Sequence, residues 1–166
     1  AGAAGTDGTG GRRLLTKPVH GWTDFHLDGT SAYGLSYLDD VPFEWLEQAV
    51  HGLETMLPFC VKGFLEPGRF LCLVSYWSCY VMVGGENREL QGKETALFQR
   101  SYTSMLDFCK MLHQDISADL EGWASFVDYR GEDVSQKQNL LIQRLQKLEE
   151  WIEEREEQFD ENHCFL

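Results

Sequence analysis

Residues 59–83 read FCVKGFLEPGRFLCLVSYWSCYVMV, and the way this stretch divides decides the fold. Aromatic and β-branched side chains dominate it, and these favour extended chain. One strong turn interrupts it, Glu66-Pro67-Gly68-Arg69. Pro presets φ at the second turn position, and Gly accepts positive φ at the third. The run from Phe70 to Val83 would span about 46 Å at roughly 3.3 Å per residue, too long for one strand of a small sheet. A division near Tyr76-Trp77-Ser78 gives strands at 59–65, 70–75 and 79–83. Such short connections leave no room for crossover helices, so the pairing is antiparallel. Downstream, Gly84-Gly85-Glu86-Asn87 reads as a loop. Ala96-Leu97-Phe98 reads as a further strand around 94–100 or as an early helix start.

Upstream, Asp39-Asp40-Val41-Pro42 punctuates the chain. Asp is suited to capping a helix and Pro to its first turn. Phe43, Leu46, Val50, Leu53 and Leu57 follow at spacings of 3 and 4, one face of a helix over 42–57 that Pro58 ends. Gly52 inside it costs roughly 1 kcal/mol. Before this helix, Trp22, Asp24, His26 and Asp28 share one parity, with Phe25 and Leu27 on the other, which predicts a strand at 21–28. Asp28-Gly29-Thr30-Ser31 turns the chain into a second strand at 32–38, making a hairpin. After the sheet, Ser101 or Thr103 is placed to cap a long helix over 102–126, whose stripe is Met105, Cys109, Leu112, Ile116, Leu120 and Trp123. Gly131 breaks the chain. A last helix over 134–158 carries the stripe Leu141, Leu145, Leu148 and Ile152.

These elements predict an α+β fold: a mainly antiparallel sheet of about five strands, two core helices and a C-terminal acidic helix. Residues 1–18 read as a flexible N-terminal segment, because residues 1–11, AGAAGTDGTGG, hold no large apolar group. Residues 19–130 form the α+β core domain. Residues 131–166 form a helix packed on the core or on a partner. The 166 residues suffice for one domain with its own core.

The chain has 14 Lys and Arg against 27 Asp and Glu, a net charge of −13. No stretch forms a basic patch with interleaved aromatics, so nucleic-acid binding is disfavoured. An anionic membrane surface would repel the chain, and no apolar run is long enough for a transmembrane helix. A basic protein would be attracted and steered. The odd set Cys60, Cys72, Cys79, Cys109 and Cys164, without C-x-x-C, is a poor disulfide or zinc framework. Four of the five sit in apolar strings and read as buried thiols, which suits a reducing, cytoplasmic setting.

Catalytic patterns fail on inspection. Gly92-Lys93 resembles the end of a phosphate-binding loop, but Asn87 and Glu94 occupy the positions of its first Gly and its magnesium-binding hydroxyl. No G-x-S-x-G elbow occurs. Pairs of Cys79 or Cys109 with His51 or His113 are combinatorial only, and an acidic chain offers thiolates little stabilisation. Asp24, His26 and Asp28 would share a strand face, about 6–7 Å apart, and could hold a metal or act as acid and base. The ordinary reading of that alternation is a solvent-facing strand surface over a buried Phe25 and Leu27. Trp77, at a strand junction, is a candidate contact residue. Glu149, Glu150, Glu153, Glu154 and Glu157 crowd the end of the last helix, where negative charge opposes the dipole and like charges four apart cost a few tenths of a kcal/mol each.

The chain therefore reads as a non-catalytic intracellular interaction domain, without cofactor, that binds a basic protein through an acidic surface, with Trp77 and those five glutamates as contacts. It would be a monomer or a homodimer. Bacterial immunity proteins that neutralise basic nuclease toxins resemble this profile in size and charge, with no shared motif. The alternatives are a small enzyme or ligand- or metal-binding domain using Asp24, His26 and Asp28, and a structural dimer built on the last helix.

Overall fold

The computed structural model describes residues 12–85, 96–127 and 133–162. Residues 1–11, Glu86 and Asn87, Gly92-Lys93, Gly131, His163 and Cys164 lie outside the described residues. The fold is α+β. Strands β3 (Phe59–Phe64), β4 (Arg69–Val74), β5 (Cys79–Gly84) and β6 (Ala96–Ser101) form an antiparallel four-stranded sheet in chain order. Strands β1 (Trp22–Phe25) and β2 (Tyr33–Ser36) form a separate two-stranded antiparallel sheet. Among the described residues there are six strands in two sheets, rather than the one sheet of about five strands expected. Fourteen apolar-rich residues do divide at Tyr76-Trp77-Ser78, since strands of six residues match one another in length and register. The Glu66–Pro67 peptide is cis, and Gly68 takes a positive φ of 104°.

The inner side of the large sheet carries Phe59, Val61, Phe70, Cys72, Val74, Cys79 and Val81, all buried. Over it lie the β1–β2 hairpin and the helices α1 (Val41–Thr55) and α2 (Met105–Ser117). Trp45 of α1 is the hub. Its ring stacks at 6.2 Å on Phe70 and 6.3 Å on Phe108, and meets the edge of Phe25 at 5.8 Å. Its indole N–H donates to the Lys62 carbonyl at 2.9 Å. Helix α4 (Val134–Asn162) packs on α1, α2 and α3 (Leu120–Ala124) through buried Leu141, Leu145, Leu148 and Ile152.

Gly52 explains its own presence in α1. A Cβ there would fall 2.2 Å from Cδ1 of Phe59, whose ring also packs edge-on against Phe108. Alanine would gain roughly 1 kcal/mol of helix propensity but force the ring aside, which costs typically 1–3 kcal/mol in a packed core. Gly52→Ala is thus expected to lose up to about 2 kcal/mol net, read as a lower urea midpoint; a gain in stability would contradict this packing. Leu57 is 55% exposed because α1 ends at Thr55 and Met56 turns left-handed with φ 55°.

Three other expectations change. Order does not begin at Val19: Leu14 and Leu15 are fully covered, and Leu15 bridges Phe25. Their backbone N–H groups donate to Asp115 Oδ2 at 2.6 and 2.9 Å, so a carboxylate a hundred residues away holds them. The single helix over 102–126 is two helices, broken at Ala118-Asp119, where Asp119 accepts from the Gly122 N–H at 3.1 Å and caps α3. The cap of α2 is Ser104, accepting from the Asp107 N–H at 3.1 Å, rather than Ser101 or Thr103, which hydrogen-bond to each other in the core.

Candidate interaction surfaces

The glutamates of α4 stand on a fixed scaffold. The stripe of Leu141, Leu145, Leu148 and Ile152 is covered within the chain, so it is not free to zip to a second copy. Arg155 projects from the same turns and donates from Nε to the Leu53 carbonyl at 2.7 Å and from Nη2 to the Glu54 carbonyl at 3.0 Å. These are carbonyls of the last turn of α1, which has no basic residue of its own. Lys110 of α2 pairs with Glu156. Glu149, Glu150, Glu153, Glu154 and Glu157 lie on the side away from the stripe and are exposed. Among the described residues none of the five has an ion-pair partner.

Trp77 sits in the β4–β5 turn, 56% exposed, with Tyr76 edge-on at 5.7 Å. It adjoins a surface that sequence reasoning missed. The outward positions of the large sheet form cross-strand rows. One row is Lys62–Leu71–Met82–Phe98, and the next is Cys60–Leu73–Tyr80–Arg100. Phe98 is 58% exposed, and Tyr80 stacks on it at 5.5 Å. The Arg100 guanidinium lies over the rings of Tyr80 at 5.6 Å and Tyr102 at 4.6 Å. On this side Lys62, Met82 and Phe98 are exposed, and Leu71, Leu73 and Tyr80 are half-buried. The signal was present in β4: Phe70-Leu71-Cys72-Leu73-Val74 is apolar on both parities, whereas a sheet with one wet face alternates. Cys60 is exposed rather than buried because its parity puts it on this side.

Asp24, His26 and Asp28 are all exposed, above buried Thr23, Phe25 and Leu27. Strand β1 ends at Phe25, before His26 and Asp28. His26 and Asp28 line a cavity of about 220 Å³ with Arg12, Arg13 and Thr103, and Arg12 pairs with Asp28 at 3.6 Å; Asp24 is not part of it. Among the described residues no group of three His, Cys, Asp or Glu is arranged to hold a metal.

Burial shifts the titration of a few carboxyls and thiols. It raises the Asp40 and Glu44 carboxyls above the ordinary range, outweighing Lys137 at Asp40 and Lys62 at Glu44. At Cys72 a hydrogen bond with Cys79 and burial push the thiol well up, and burial does the same at Cys109. Both thiols are held protonated, the opposite of what a nucleophile needs. Among the described residues no helix is long and apolar enough to cross a membrane. No protein-family model, curated protein or solved structure matches the chain.

Proposed function

We propose that this chain is a non-catalytic interaction domain that binds a basic protein partner through the glutamate face of α4. The observation that carries this reading is five exposed glutamates without ion-pair partners, among the described residues, on a helix anchored from behind by its leucine stripe and Arg155. Glu149–Glu153, Glu150–Glu154 and Glu153–Glu157 repel at i,i+4, each at a few tenths of a kcal/mol. Tertiary packing, not local preference, maintains the helix there. A lysine- or arginine-bearing surface would relieve that repulsion and be steered by the net charge. The similarity in size and charge to immunity proteins makes a basic nuclease the first partner class to test.

The test uses the full chain and a panel of basic proteins of pI above about 9. One variant converts the five α4 glutamates to Gln. A control removes the same charge elsewhere through Asp24→Asn, Glu44→Gln, Glu66→Gln, Asp107→Asn and Glu121→Gln. The α4 variant is expected to lose about tenfold or more in affinity and to flatten the salt dependence, with the control changing by less than about threefold. Equal losses in both variants would mean that only overall charge matters and would overturn the proposal.

A further inference from the structure

We infer that the outer face of the four-stranded sheet is a second docking surface, shaped for an amphipathic helix whose apolar stripe is flanked by acidic side chains. The centre of the face is apolar: Leu71, Leu73, Met82 and Tyr80 on the two middle strands. Its ends are basic: Lys62 on one edge strand, Arg100 on the other, and Arg69 at the start of β4. No outward strand position on the face holds an acid, in a chain of net charge −13. Asp39 and Glu66 stand on loops at its rim, beside Lys62 and Arg69. An apolar centre within a polar rim, with aromatic and Arg side chains prominent, is the composition of interface hot spots.

The dimensions suit a helix. Six-residue strands run about 20 Å and four strands span about 14 Å, room for one helix of about 13 residues at 1.5 Å rise. Helices already cover the inner side, and helices on both sides of a sheet is an ordinary layered architecture. A second copy docking face to face would bring like charges together. The glutamates of α4 lie beyond the layer of α1 and α2 and are screened from this face by a Debye length of about 8 Å at 0.15 M ionic strength.

The test is fluorescence anisotropy of the full chain at 0.15 M salt with two labelled 18-residue peptides. Both carry one leucine stripe at i, i+3, i+4 and i+7; the flanks are Glu in one and Lys in the other. In the five-Gln α4 variant of the full chain, which lacks the competing acidic face, the Glu peptide is expected to bind at least about tenfold more tightly than the Lys peptide. Met82→Glu with Phe98→Glu, both at exposed positions, is expected to lower its affinity about tenfold or more with an unchanged circular dichroism spectrum. Lys62→Glu with Arg100→Glu is expected to reverse the preference. The five-Gln α4 variant should not weaken the Glu peptide, so failure here leaves the α4 proposal standing. No saturation up to about 1 mM, preference for the Lys peptide at this face, or affinity unchanged in the Met82 and Phe98 variant would overturn the inference. So would self-association of the wild type that the same variant abolishes, or binding to phosphatidylserine vesicles in place of the peptide.

Discussion

Trp45→Ala is expected to cost about 3–5 kcal/mol, the largest loss of any single truncation in this core. The indole is fully covered and contacts rings from three other elements, Phe25, Phe70 and Phe108. Removing it opens a cavity between the hairpin, the sheet and α2, which packed neighbours fill only in part. It also strands the Lys62 carbonyl, which accepts the indole N–H. Domains hold only about 5–15 kcal/mol in all, so the variant should melt roughly 10–15 °C lower. Trp45→Phe keeps a ring in the stack and should recover more than half of the loss. A Trp45→Ala melting point within a few degrees of wild type would show that the aromatic cluster does not hold the layers together.

Asp115→Ala should be nearly as damaging, by about 2–4 kcal/mol, because it orphans the Leu14 and Leu15 N–H donors and releases two buried leucines. The sign with pH is distinctive. Desolvation raises the Asp115 pKa to about 6, outweighing the Leu15 and Leu14 N–H bonds and the charge of Arg13. Between about pH 4 and 6 the folded chain holds a proton that the unfolded chain has released. The stability owed to this group is therefore fullest below about pH 4 and falls as pH rises through 6. Measured against Asp115→Asn, which stays neutral and cancels the other titrations, the wild type should lose about 2–3 kcal/mol across that window. A flat difference would mean that the carboxyl is not desolvated.

Much of the fold was legible because local pattern and tertiary outcome agree. The parity of Trp22 to Asp28 places Phe25 and Leu27 inside. The splitting of 59–83 follows from strand length, and the α4 stripe from 3.6-residue spacing. The misses have physical causes. Leu120 and Trp123 keep helical spacing across the Ala118-Asp119 break, so periodicity runs through it. Leu14 and Leu15 lie among Arg12, Arg13, Thr16 and Lys17 and are fixed by Asp115 and by pairing with Phe25 and His26, contacts no local pattern carries. The outer sheet face was the subtler case. The two-sided apolarity of β4 implies cover on both sides, and only the register shows that Leu71 and Leu73 lie on the side left open.

We propose that the chain works by binding through α4. Amide shift mapping of the isotopically labelled full chain against an unlabelled basic protein from the panel tests it most directly. Shifts are expected to gather on residues 149–157 and to fade as salt rises. Shifts spread over every acidic surface, or gathered on Asp24, His26 and Asp28, would contradict it.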